Sequence, residues 1–532
     1  MAAGLLFSVF TSLVLSYHRI LWEDEMLGWM LLHDPSWRHM ISAWKQGADG
    51  GGFTFYLTGR LWFALFGASD VAFRLYSTIA FGISFCLLWV MLRRFYTVPV
   101  TAFALINTWF FNPVIVSHMA EGRFYGLLML GVILATFLFL KADRTPGSPL
   151  SLCALFFLVH AVLTTSHSLG VIYSATVLLA LFTLDLASRR RPRPLLYLSG
   201  ALAWLLLIPE HAAMAASARV GKPHFWTTPP TLSRFVGAYT SFSAEIALVL
   251  FLLAIALVLS LRKPPVLWKP VLRSAWHTRR PAWILTAAFL LIPVALTLAC
   301  LVGPSLFTNR YLMPVALAQA LLTAEAITLI RWSTVLPASL LAPRLRRRAI
   351  AAFTCLLLLW IFVHIRRHSI PQHTDYTVEL TTRFPKGIPV VCEDAWAFTE
   401  IIGRQHSSGV PYIYLLDWPQ SILPSAPRLE VTEFHLMDTW RSVGFFSGSI
   451  QPIDDFLRRT PRFFLLHRDP PIAMVEPNRI GNPLFERFSH SPAYQVQPFG
   501  PRDKDGYQKT WLVCRGRCNA PPPRTAPIPP PR

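Results

Sequence analysis

Four stretches of this chain hold residues whose types and spacing could do chemistry. The first is Glu23-Asp24-Glu25, which follows an apolar run at 3–21 long enough to cross a bilayer. Carboxylates so near hydrocarbon are costly unless they serve a site, the alternative being a solvated membrane-boundary loop. The second is Ser117-His118-Met119-Ala120-Glu121-Gly122-Arg123-Phe124-Tyr125. On a straight helix Glu121 and Arg123 would point about 200° apart. A break at Gly122 would let both face one cavity; otherwise they read as a boundary ion pair. The third is Thr164-Thr165-Ser166-His167-Ser168, a polar cluster around a histidine that could be structural, a ligand or a base. The fourth is Thr308-Asn309-Arg310-Tyr311-Leu312-Met313-Pro314. A guanidinium there fits a phosphate bidentately. Together these residues supply an acid to take the proton of an acceptor hydroxyl and arginines to steady an anionic leaving group. That chemistry suits transfer of a group from a membrane-held phosphate and does not name the group.

The elements that must position these residues are hydrophobic. Of 532 residues 53% are hydrophobic and only 14% charged, with mean hydropathy +0.44, which excludes an ordinary soluble protein. Apolar runs near the ~20 residues needed to span a bilayer predict helices at 3–21, 70–92, 97–117, 124–141, 150–167, 169–187, 195–212, 244–261, 282–302, 311–331 and 349–366. Residues 1–21 lack a basic leading segment and an A-x-A cleavage site, so the first run reads as a retained helix. The formal charge is +21, but Lys and Arg gather between apolar runs, which argues for membrane topology and against nucleic acid. Clusters at Arg93-Arg94, Lys141/Arg144, Arg189–Arg193, Arg262–Arg280 and Arg331–Arg348 fall on one side of an eleven-helix arrangement. The positive-inside rule makes that side cytoplasmic, with the Arg366-Arg367 pair as its exception. The four chemical stretches then all lie on the outer side. The long loop at 22–69 carries Trp22, Trp29, Trp37 and Trp44, which suit interfacial depth.

After residue 366 the pattern changes. Short β-like runs (GIPVVCE, PYIYLLD, RFFLLH, KTWLVC) alternate with helical stretches (AWAFTEIIGRQ, IDDFLRR), predicting a small soluble α/β domain over 367–517. The Pro-rich end, 518–532, cannot build a core and is predicted disordered. Cys514 and Cys518 can pair only if the chain turns, because four extended residues span roughly 13 Å and a disulfide needs about 5.5 Å between Cα atoms. Gly516 permits such a turn, and the pairing stays open at this level. His33, Asp34 and His39 fit no standard metal spacing and read as surface residues.

Taken in order, Asp24-Glu25, the long first loop, FTFYLTGRLWFALFG running into AFRLYS, then EGRFY, SHSLG and NRYLMP make residues 1–366 resemble the GT-C membrane glycosyltransferases. The nearest branch is that of protein O-mannosyltransferases, the lipid A aminoarabinose transferase and the bacterial enzymes that decorate lipopolysaccharide. The resemblance implies a GT-C transmembrane domain of about eleven helices and a polyprenyl-phosphate-linked sugar as donor. The acceptor would be a glycan, lipid or protein at the outer face of the cytoplasmic membrane, with the C-terminal domain extracytoplasmic. It implies Asp24 as catalytic base with Glu25 in support. It also implies donor-phosphate or substrate roles for Glu121, Arg123, Tyr125, His167, Arg310 and Tyr311. A divalent cation is found in some members and not in others, so the metal stays unknown. Where relatives carry a Pro-Pro-Leu-Tyr-Tyr-like entry, this chain has Gly51-Gly52-Phe53-Thr54-Phe55-Tyr56. The WWDYG-type signature of oligosaccharyltransferases is absent, which argues against en bloc glycan transfer. A transporter or flippase of a lipid-linked or anionic solute is the alternative. It would place ionisable residues near mid-membrane rather than at helix mouths.

Overall fold

The computed structural model describes residues 2–18, 21, 23–209, 230–240, 265–302, 307–333, 384–393, 395–402, 409–417, 428–468, 483–499 and 508–518. The spans expected at 244–261 and 349–366, the arginines at 344–348, the pair Arg366-Arg367 and the Pro-rich end beyond 518 lie outside the described residues. The chain forms two compact units. One comprises residues 1–18, 51–211 and 227–370; the other comprises 19–50, 212–226 and 371–532.

The first unit is helical. Its described helices are α1 (Ala2–His18), α4 (Phe53–Phe66), α5 (Asp70–Leu92), α6 (Val98–Leu105), α7 (Pro113–Met119), α8 (Tyr125–Arg144), α9 (Leu150–Ser166) and α10 (Gly170–Ala187). They continue with α11 (Pro194–Leu202), α12 (Leu232–Thr240), α13 (Pro265–Leu290), α14 (Ile292–Val302) and α15 (Val315–Ser333). α5, α8, α10 and Trp276–Leu301 are long and apolar enough to cross a membrane, and a bent pair, Val98–Phe110 with Pro113–Met119, makes a fifth. The described residues thus hold up to five full-length spans, against eleven expected from hydropathy. Shorter apolar helices cover Gly4–Val14, Leu150–Ser166, Pro194–Leu207 and Val315–Leu329.

The run at 97–117, expected as one helix, is broken. A π-helical turn at Ile106–Phe110 precedes Asn112, whose side chain accepts the N–H groups of Val114 and Ile115, and Pro113 opens α7 at a 69° bend. Proline at the first helical position gives up no hydrogen bond and disfavours helix in the residue before it, so Asn112-Pro113 forces the new start. Hydroxyls tie the neighbouring helices here: Thr78 Oγ lies 2.6 Å from Ser12 Oγ and 2.9 Å from the Met119 carbonyl.

The second unit is built on a six-stranded mixed sheet, and it includes the first-loop helices α2 (Glu23–His33) and α3 (Trp37–Lys45). The remaining elements are β1 (Val390–Cys392), α16 (Ala395–Ile402), β2 (Tyr412–Leu416), α17 (Arg428–Ser442), β3 (Ile450–Pro452), α18 (Ile453–Arg459), β4 (Arg462–Arg468), α19 (Pro483–Ser489), β5 (Tyr494–Pro498) and β6 (Gln508–Arg515). Strand order is β3-β2-β1-β4-β6-β5. β1, β2, β3 and β4 pair in parallel, and β6 runs antiparallel to both β4 and β5. β1 and β2 are buried at every position, as strands covered on both faces must be. Val391, Ile413, Leu465 and Val513 share one face with Phe456 of α18 and Phe488 of α19. On the other face Tyr414 meets Phe398 of α16 and Phe434 of α17 at 5.7 and 5.6 Å between ring centres. Each such aromatic burial is worth about 1.5–3 kcal/mol. α2 packs against α16, and Trp440 Nε1 donates to the Ala48 carbonyl at 2.7 Å, so residues 19–50 fold with the sheet. The four β-like runs read from sequence are all strands. At Gly516 (φ +76°) the chain turns, bringing Cys514 and Cys518 to 5.4 Å between Cα atoms in a disulfide.

Candidate active site

Within the helical unit, three turns that are far apart in sequence converge on His167. The helix expected through Glu121 and Arg123 breaks: α7 stops at Met119, residues 120–124 form a turn, and α8 starts at Tyr125. The Arg123 N–H donates to the Glu121 carbonyl at 2.8 Å, closing that turn. His118 Nδ1 donates to Glu121 Oε2 at 2.7 Å, so a histidine orients the buried carboxylate. The His118 ring also lies 4.9 Å from that of Tyr125.

His167 sits in the turn between α9 and α10, buried. Its ring stacks on Phe124 at 4.3 Å and leans on Tyr311 at 5.5 Å. Nδ1 accepts the Leu169 N–H at 3.1 Å, which leaves the ring proton on Nε2. Burial first, then the charges of Arg123 and Arg310, push its pKa down to about 3. The lowered pKa keeps the His167 imidazole neutral and makes it a weak proton acceptor. Both guanidiniums also bear on aromatic faces, Arg123 on Phe124 at 5.0 Å and Arg310 on Tyr311 at 5.4 Å. Tyr311 belongs to a short 3₁₀ turn, Asn309–Leu312, anchored where the Tyr173 hydroxyl of α10 donates to its carbonyl at 2.6 Å.

The glycine run that departs from the resembled family has a steric reason. Gly52 N–H donates to the Ser166 carbonyl at 3.1 Å, and the Thr54 and Thr165 hydroxyls share a 2.5 Å hydrogen bond. A Cβ at position 52 would lie 2.1 Å from the Thr165 carbonyl oxygen. Only glycine lets this segment seat against the turn that carries His167.

Sequence reasoning gave no role to Arg74, yet it is 1% exposed in α5, with Nη1 3.4 Å from the Ser16 carbonyl. The signal was available: like Arg123 and Arg310, it is an arginine away from the basic clusters. His118 was within a quoted motif without a role, and its hydrogen bond to Glu121 supplies one.

The acidic pair lies in the other unit. Glu25 is fully buried on α2 and Asp24, beside it, is half-buried. Asp34, expected at the surface, is 5% exposed and accepts from the Ser36 N–H at 2.8 Å and from His39. His33 Nδ1 instead donates to the Trp29 carbonyl of its own helix at 2.8 Å. Among the described residues no three His, Cys, Asp or Glu side chains gather to hold a metal ion.

The fold is similar to that of a solved protein, ArnT. ArnT from Cupriavidus metallidurans in the apo state superposes with a TM-score of 0.59 at 11% identity, over 96% of this chain and 98% of that one. The same protein bound to undecaprenyl phosphate gives 0.58 at 12% identity, over 96% and 97%. The archaeal oligosaccharyltransferase AglB from Archaeoglobus fulgidus, in complex with an inhibitory peptide and a dolichol-phosphate, gives 0.44 at 11% identity over 88% and 69%. No protein-family model matches the chain, and no curated protein matches it by sequence. At 11–12% identity the likeness to ArnT is one of fold alone.

Proposed function

We propose that this protein is a membrane glycosyltransferase that moves one sugar from a polyprenyl-phosphate donor to a glycan, lipid or protein acceptor at the outer face of the cytoplasmic membrane. The observation that carries this reading is the convergence of Arg123 and Arg310 on the buried, neutral His167 at one end of the helical unit. It occurs in a fold that a protein crystallised with undecaprenyl phosphate also has. The Cys514–Cys518 disulfide supports an oxidising compartment for the sheet domain.

The reaction is a direct displacement. The acceptor oxygen attacks the anomeric carbon as its proton passes to a general base, the role that the resemblance implies for Asp24. The bond from that carbon to the phosphate oxygen breaks, and the electron pair leaves with the polyprenyl phosphate. Arg123 and Arg310 neutralise the departing anion. Tyr125 and Tyr311 line the donor, Glu121 is held by His118, and Glu25 orients Asp24. Partial exposure suits Asp24 to proton transfer, and full burial suits Glu25 to a fixed supporting role.

Purified protein given a polyprenyl-phosphate sugar labelled in the sugar should consume it and label an envelope acceptor. Mass spectrometry of a deletion strain should show accumulated donor lipid and one missing envelope sugar. If the donor instead crosses proteoliposomes intact and unconsumed, the protein is a transporter.

A further inference from the structure

His39 lies between two acceptors. On one side its Nδ1 donates to Asp34 Oδ2; on the other, Nε2 is 2.6 Å from the Val443 carbonyl oxygen. A neutral imidazole carries one N–H and can satisfy only one of these, so the second nitrogen would turn a lone pair towards an oxygen. Only the imidazolium donates to both. The geometry therefore holds a charge in place, and that charge joins two segments about four hundred residues apart in sequence.

The partners are built for this. Asp34 occupies the turn between α2 and α3, with its carboxylate buried and its other oxygen fixed by the Ser36 N–H. Val443 follows α17 directly, and the Phe445 ring beyond it lies 4.9 Å from the imidazole. The charge bearing on the ring is that of Asp34. On α17, Asp438 and Arg441 are partners of each other at 4.0 Å. Binding to the Val443 carbonyl, opposed by partial burial and aided by Asp34, raises the affinity of His39 for its proton above the ordinary 6.5.

We propose that His39 is a positioning residue: as an imidazolium it docks the α2–α3 segment, and with it Asp24, on the turn after α17, and it releases the segment on losing its proton. The sign follows from the direction of the shift. Docking is complete below the ordinary histidine range and is lost as pH rises through the raised value of the docked state. The docking equilibrium weakens by at most about tenfold per pH unit between the ordinary and the raised value, and above the raised value it levels off where the Trp440–Ala48 bond and apolar packing hold it. The consequence for catalysis rests on the transferase reading, because Asp24 is the base only there.

The test is hydrogen exchange on the full-length enzyme in nanodiscs from pH 6 to pH 9, corrected for intrinsic exchange, at residues 37–48 and 440–448. Wild type should lose protection at both segments together as pH rises, and His39→Arg, charged throughout, should show none of that pH dependence. In parallel kcat should fall with protection in wild type while KM for the donor holds, since the donor rests on Arg123 and Arg310. Protection in wild type that is flat across this range, or equally pH-dependent in His39→Arg, overturns the latch. Protection that titrates while kcat does not overturns the positioning of Asp24. Absence of turnover at every pH sinks the transferase reading instead, and the exchange data still decide the latch.

Discussion

α8 and α10 run between two ends of the helical unit that differ in kind. At the far end from the Glu121–Arg123 turn, Arg193 Nε and Nη2 grip both oxygens of Asp185 at 2.9 and 2.8 Å. Its Nη1 donates to the Ala142 and Thr145 carbonyls, and the Tyr197 hydroxyl donates to the same carboxylate. Nearby in type, Arg279 and Tyr96 share the two oxygens of the buried Glu325 at 2.7 and 3.0 Å. These arginines belong to or border the basic clusters of the sequence, yet their guanidiniums are spent on carboxylates inside the protein. At the other end, Arg123 and Arg310 are set against aromatic rings and a histidine kept neutral partly by their own charges. One end uses arginine to fasten helices to one another; the other sets arginine against aromatic faces beside a buried histidine. The lesson is that charge bias along a membrane sequence reports topology, whereas the partner of each arginine reports its work.

The comparison breaks most visibly at the fastened end. Asp185→Ala leaves Arg193 buried without its carboxylate, and losing one member of such a pair costs about 3–5 kcal/mol. Thermal unfolding in detergent should show a large drop in midpoint, with activity lost through folding. A variant that melts like wild type would remove the staple. At the other end, Arg310→Ala should melt like wild type and lose turnover by about 10²–10³-fold, the scale of one lost anion-stabilising donor. Arg310→Lys keeps the charge without the planar fork and should fall between the two. Unchanged donor use in Arg310→Ala would end its role as phosphate holder.

Much of this was legible in the sequence, for physical reasons. Arg123, His167 and Arg310 lie in three turns that hydropathy places on one side, and the structure brings those turns together. The strands β1, β2, β4 and β6 were legible because buried strands read as apolar runs. β3 and β5 were not: IQP and YQVQP are short, polar, edge strands, and each ends on a proline that only an edge tolerates. The break at Asn112-Pro113 carried a plain signal that the hydropathy of 97–117 overrode. The Asp34–His39–Val443 contact was invisible, because a turn separates the first two residues and the third comes from the far end of the chain. The folding of residues 19–50 with the sheet was hidden for the same reason.

The central claim, that an α2 carboxylate takes the acceptor proton, is tested most directly by single-turnover assays of Asp24→Asn, Glu25→Gln and Glu23→Gln, with thermal melting as a folding control. Asn keeps the shape of Asp24 and removes its basicity, and a positioned general base is worth about 10²–10⁴ in rate. Asp24→Asn should lose turnover on that scale with donor binding kept, Glu25→Gln should lose less, and Glu23→Gln should behave as wild type. Normal turnover in Asp24→Asn beside a dead Glu25→Gln would move the base by one residue; normal turnover in all three would contradict the account.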